Sequence, residues 1–128
     1  MLVKTEARHT AEFILSEGPG GISRDNGTVL KGQKLKVGEV VQKDGAGKLI
    51  AADGNLTSAG DVQTEVAGIV IDAIDASATG ADADVAAAYI ARLAEVNNNL
   101  LTYPAESTAG GEKAAVNASL AKLFIIAR

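Results

Sequence analysis

Three dipeptides, Asn26-Gly27, Asp44-Gly45 and Asp53-Gly54, punctuate the first half of the chain. Asn or Asp followed by Gly tolerates the positive φ angles of a type I′ hairpin turn, and each pair here lies beside β-like residues. The spacing predicts strands at 28–30, 35–42, 48–52 and 66–73. Within KGQKLKVGEVVQKDGAGKLI, Gly32 and Gly38 predict bends in a strongly curved sheet. VAGIVIDAID, beginning at Val66, is almost continuously apolar and rich in β-branched residues. Such a run reads as a strand in the sheet interior, buried on both faces.

The first residues follow a different rule. Val3, Thr5, Ala7 and His9 alternate with Lys4, Glu6 and Arg8, a period of two that suits extended backbone. No cap or turn signal ties this segment down before Gly18, Pro19, Gly20 and Gly21, which predict a hinge or tight turn. The expected division is an N-terminal arm over 1–17 and a single domain over 18–128, a size that supports one core. Residues 76–84, small and acidic, read as an exposed loop.

The second half is more ambiguous. VAAAYIARLAEV, residues 85–96, repeats Val85, Tyr89 and Leu93 every four residues among alanines, which favours a helix, yet the run is short enough for a buried strand. Leu100 to Tyr103 is extended because the residue before Pro104 avoids the helical region. Ser107 or Thr108 can cap a helix running through Glu112 to about Lys122, with Ala115, Ala118 and Lys122 on one stripe. Leu123 to Ala127 predicts a closing strand. The fold class is mainly β with a small α part (α+β).

Composition limits the chemistry. Aromatic residues make up 3% of the chain against 47% hydrophobic in total, so small aliphatic side chains build the core. Each buries little area, and burial between identical subunits is the usual supplement, so an oligomer is expected. A formal charge of −4 leaves no basic surplus for nucleic acid, and the absence of cysteine removes thiolate chemistry. Lys4, Glu6, Arg8 and Glu12 interrupt any signal-peptide core, and no apolar run approaches the roughly 20 residues of a membrane span, so a soluble chain is expected.

No constellation supports an enzyme, a metal or a cofactor. His9 is the one imidazole, and Ser16 and Ser23 lie outside any nucleophile elbow, so an interface role outweighs catalysis. Asp72, Asp75, Asp82 and Asp84 lack the spacing and terminal glutamate of a calcium loop. DGAGKL around Lys48 lacks both the glycine spacing and the Ser or Thr of a phosphate loop. The valine-glycine rhythm also suits a small β-barrel carrier of the lipoyl or biotinyl type, with Lys43 before Asp44-Gly45 as the nearest modifiable lysine, though its flanking residues do not fit.

TEARHTAEFILSE, followed by SRDNGTV, VAGIVIDAIDA, AEVNNNLLTYP and the closing LFIIAR, resembles the head decoration proteins of tailed bacteriophages, the family of the lambda decoration protein D. The resemblance runs over nearly the whole chain. It implies a β-clip-like fold, a strand within residues 85–96, and a homotrimer at three-fold positions on the outer surface of the virion capsid. There such a protein would clamp the major capsid protein of the expanded head against the pressure of packaged DNA. It also implies a capsid-binding arm that adds a strand to a capsid-protein sheet, here Val3, Lys4, Thr5, Glu6, Ala7, Arg8, His9 and Thr10. FILSE is more apolar than a free tail, so Phe13, Ile14 and Leu15 are expected to anchor that arm, with Gly18, Pro19, Gly20 and Gly21 as its hinge.

Overall fold

The computed structural model describes residues 5–77 and 83–128; Val3, Lys4 and Asp82 lie outside the described residues, as does most of the expected acidic loop. β1 (Ile14–Glu17) runs through a 3₁₀ turn, Pro19–Gly21, into β2 (Arg24–Val29). β3 (Lys34–Leu35), β4 (Val40–Lys43), β5 (Leu49–Ala51), β6 (Val66–Val70), β7 (Ile74–Asp75), β8 (Val85–Ile90) and β9 (Ala94–Val96) follow. A second 3₁₀ turn, Asn98–Leu100, precedes α1 (Glu112–Lys122) and β10 (Ile125–Ala127). The fold is mainly β with one C-terminal helix.

Five strands close a barrel in the order β2-β5-β4-β6-β8, while β1-β9-β10 form a separate sheet and β3 pairs with β7. All five barrel strands send residues into one buried cluster: Val29, Val41, Leu49, Val70, and Ala87 with Tyr89. A second cluster, with Phe13, Ile69, Ile90, Val96, Leu120 and Ile125, joins the barrel wall to the three-stranded sheet and α1. β6 serves both clusters, Val70 facing one and Ile69 the other, as its continuous apolar run predicts.

Closure demands an unusually close crossing of β6 and β8. A Cβ on Gly68, whose φ is +153°, would overlap the Ile90 carbonyl oxygen and lie 2.9 Å from Tyr89 Cδ2. Facing β4, β6 carries a bulge at Ala67, the extra residue between the Val41–Gly68 and Gln42–Val66 pairs. Glycine and bulge together bend the wall sharply enough to close it.

Several local expectations are corrected. Asn26-Gly27 is no turn: it lies inside β2, paired to Ala88 and Ala87 of β8. Gly27 is small because a Cβ there would meet Leu49 Cδ1 at 2.8 Å, so packing across the barrel explains the residue. Asp44-Gly45 does sit in the β4–β5 hairpin, but the left-handed residue is Gly47, and Asp44 holds the loop by accepting from the Ala46 and Lys48 N–H groups. The expected strand over 35–42 is broken at Gly38, whose φ is +77°. Residues 85–96 are two strands, as the resemblance implies and against the helix that the spacing favours, because the full six-residue register of β8 on β2 outweighs the helix propensity of alanine. The expected period-two strand over 1–17 is confined, among the described residues, to Ile14–Glu17.

α1 also departs from expectation. Its N-cap is Gly111, with no side-chain cap from Ser107 or Thr108. Glu106 caps it instead, accepting from the N–H groups of Gly111 and Lys113, both at 2.9 Å. The buried stripe is Glu112, Ala115, Val116, Ser119 and Leu120, while Ala118 and Lys122 are exposed. Ser119, one of two polar members with Glu112, accepts the Val66 N–H at 3.0 Å and donates to Glu65, stitching the helix to β6. The buried Glu112 carboxylate accepts the Ser107 N–H at 3.0 Å. The Ser107 side chain foremost, then the backbone N–H of Glu112 itself, holds the Glu112 pKa down to about 2.

Two outcomes are expected. Gly68→Ala should destabilise the protein by about 3 kcal/mol, since the clash is with backbone that no rotamer change relieves, and urea unfolding measures it. Because the Glu112 pKa is lower folded than unfolded, its stabilisation is present above pH 4.5 and is lost as pH falls towards 2. Glu112→Gln should therefore lower Tm at pH 7, with the gap to wild type closing progressively as the pH of thermal melts is taken from about 4.5 to about 2.

Candidate functional site

The described residues ahead of the barrel divide into two parts. Thr5, Glu6, Ala7, Arg8, His9 and Thr10 are all exposed. Among the described residues, no backbone hydrogen bond forms at 5–8, so that stretch keeps its N–H and C=O groups free. His9 Nε2 lies 3.0 Å from Glu6 Oε1, an exposed pair that loses little to solvent and gains little. Among the described residues no serine meets the imidazole, and no cluster of three or more His, Asp or Glu residues is arranged to hold a metal ion.

From Arg8 onward the chain attaches to the body. Arg8 Nη1 donates to Thr102 Oγ1 at 2.9 Å, Thr10 Oγ1 donates to Asp72, and the Ala11 N–H donates to the Ile71 carbonyl at 3.1 Å. Ala11 takes a left-handed conformation, φ +59°, and this turn drives Phe13 inward. Phe13 is fully buried, among the largest side chains of the second core cluster. The Asn97 N–H fastens the Phe13 carbonyl at 2.7 Å.

The residues grouped as anchor and hinge do different things. Phe13 is core and Ile14 is half-buried, whereas Leu15 is 53% exposed on the outer side of β1. β1 lies on the arm side of the 17/18 boundary, yet it pairs antiparallel with β9, Ile14 opposite Val96 and Glu17 opposite Ala94. Gly18, Pro19, Gly20 and Gly21 thus connect two elements of the body. Gly20 and Gly21 have φ of +64° and +80°, left-handed backbone that departs from regular 3₁₀ geometry and that glycine adopts without strain. Ser23 Oγ accepts the Gly18 N–H at 2.7 Å and donates to the Leu93 carbonyl at 2.6 Å, so the turn is tied down at both sides.

Sequence reasoning missed the partners of this region. Thr102 and Asp72 hold its root from 94 and 62 residues away, a distance that leaves no local signal. Ser23 was visible only as a serine after GPGG. Of the acidic residues considered for calcium, Asp84 accepts from the Lys31 N–H and from Lys48 Nζ, and Asp75 accepts from Ser77, so these carboxylates are occupied with loop structure. Their pKa values are held below the usual carboxylate range by Lys48 and Ser77 respectively. Lys43 is exposed at the end of β4, beside the hairpin turn.

β1 and β10 are the two edges of the β1-β9-β10 sheet, so the exposed segment leads directly into an open sheet edge. An extended strand beside an open edge can recruit partner backbone, or add itself to a partner's sheet.

No curated protein matches the chain at a significant level. A family model does, that of the bacteriophage lambda head decoration protein D, and it spans residues 3–125, both the exposed segment and the whole barrel. The chain belongs to the bacteriophage lambda head decoration protein D family.

Proposed function

We propose that this protein is a homotrimeric cement of a phage head, seated at three-fold positions on the outer surface of the capsid and stabilising the expanded shell against internal DNA pressure. The family is one of structural phage head proteins rather than enzymes, so a decorating role on the capsid follows from membership. The match over residues 3–125 is the observation that carries the fuller reading.

In this reading residues 3–10 are the capsid-binding arm, and the partner is the major capsid protein of a tailed phage. The free backbone at 5–8 supports it, because an extended segment gains its hydrogen bonds only when a partner's sheet edge is supplied. Ordering such a segment costs conformational entropy, so one arm binds weakly. Three arms held on one trimer act together, and each binding event raises the effective concentration of the next. Phe13 transmits the load: it is rooted in the core, so tension on the arm reaches the barrel rather than a flexible linker.

Deleting residues 2–10, which stops short of Ala11 and Phe13, should leave Tm within a few degrees of wild type yet reduce co-sedimentation with expanded capsids at least tenfold. Phe13→Ala should do the reverse in calorimetry, costing about 3 kcal/mol or more of stability through the cavity it leaves. Undiminished capsid binding by the truncated chain would remove the arm from the mechanism.

A further inference from the structure

The sheet β1-β9-β10 has two dissimilar ends. Ile14 and Ala127 both pair with Val96, so the arm's root and the C-terminal residues share one end. At the other end, next to Ala94, three large apolar side chains stand in solvent: Phe124 at 68% exposure, Ile22 at 50% and Leu93 at 42%. They are structurally linked. The Ala94 N–H donates to the Phe124 carbonyl at 3.1 Å, the Leu93 N–H to the Leu123 carbonyl at 3.2 Å, and Arg92 Nη1 to the Ile22 carbonyl at 2.7 Å.

Phe124 and Leu93 hold left-handed backbone, with φ of +59° and +52°. Glycine or asparagine would occupy those positions with less strain and better solubility. The chain has two phenylalanines; one fills the core and the other is this exposed one. Strain and exposed aromatic area together at one point mark a contact surface.

Beside Phe124 lies an open groove of about 680 Å³ with Tyr89, Ala67 and Leu123 among its walls. Its charged lining is three cations, Lys43, Arg92 and Lys122, and two carboxylates, Asp25 and Glu65. Asp25 pairs with Arg92, and Glu65 pairs with Lys122 at 2.5 Å, so covering the groove strands no carboxylate.

We propose that this knob and groove form the contact between copies of the chain, Phe124 of one copy seating in the groove of the next. The occupant is a second copy on three grounds. The knob lies at the end of the sheet away from the arm, so the arm's partner is not the one placed here. The groove's lining, three cations against two ion-paired carboxylates, lacks the net negative charge that keeps copies of a chain of formal charge −4 apart elsewhere. A knob and a groove side by side on one face also suit surfaces gathered around a symmetry axis, where each copy offers one and receives the other. This deepens the trimer reading of the proposed function and rests on it for the number of copies, though not for the contact itself.

The chain has no cysteine, which makes a direct test clean. Phe124→Cys and Ala67→Cys chains, mixed and joined by a short bismaleimide in solution and on expanded capsids, should give mixed pairs at least tenfold above a Phe124→Cys with Thr28→Cys control. The double variant Leu93→Asn, Phe124→Asn should abolish wild-type cross-linking and concentration-dependent mass in sedimentation, with Tm unchanged or raised. A Tm loss would assign these side chains to the fold instead. Mixed pairs no more frequent than the control in either condition overturn the contact, as does a double variant that self-associates normally but fails on capsids, which would give the knob to the capsid protein. Capsid-free cross-linking with no capsid binding would instead overturn the decorating role and leave the contact standing.

Discussion

The crossing of β6 over β8 at Gly68 sets the geometry on which the rest of the molecule rests. With no side chain at that point, the Ile90 carbonyl and the Tyr89 ring approach the β6 backbone closely enough for five short strands to close. Closure removes the edges that a small open sheet would otherwise expose. It also keeps the barrel interior narrow, which suits a chain with few aromatics: valines, leucines, alanines, Ile74 and the Tyr89 ring make up its cluster. Ile90, at the crossing, turns its side chain to the other cluster, where Phe13 and α1 pack. A single contact therefore couples the barrel to the layer that carries the exposed N-terminal segment.

What the sequence made legible follows from which signals are local. The VAGIV strand was legible because burial on both faces marks nearly all of its residues, while the expected continuation to residue 73 is not strand: β6 ends at Val70 and Asp72 and Ala73 are exposed. The strand at 85–90 was not legible, because its alanines carry helix propensity and only pairing with β2, some sixty residues earlier, overrules it. Asn26-Gly27 misled for a related reason. The glycine is there for Leu49 and Tyr89 across the barrel, and a dipeptide pattern cannot distinguish a turn from a close approach. In α1 the stripe was misplaced because two of its buried members, Glu112 and Ser119, are polar; their hydrogen bonds to Ser107, Val66 and Glu65 make burial tolerable, and those partners lie outside the helix.

The candidate site was partly legible for the same reason. An apolar triplet ahead of a glycine-rich turn points to an anchor, and Phe13 is buried. The triplet does not act as a unit, since strand alternation and the bulge between Ile14 and Ser16 leave Leu15 outside. Nor could spacing reveal that GPGG is fastened by Ser23 and Leu93. The flexible-looking residues are fixed, and the free ones are polar residues of ordinary composition before them.

Backbone strain shows where such a structure concentrates its specificity. Among the described residues, the non-glycine residues with positive φ are Ala11, Leu93 and Phe124. Ala11 lies three residues before β1, Leu93 immediately before β9 and Phe124 immediately before β10, so each strand of one sheet is entered through a left-handed residue. Each such conformation costs about 1–2 kcal/mol in an L-residue. The cost is sustained by hydrogen bonds at the same turns, the Ile14 N–H to the Ala11 carbonyl, the Leu93 N–H to Leu123 and the Ala94 N–H to Phe124. None of this strain falls in the barrel strands. A closed barrel is overdetermined by its own ladder and can support an adjoining sheet that is not, and that sheet is where the chain presents its open edge, its exposed N-terminal segment and its exposed phenylalanine.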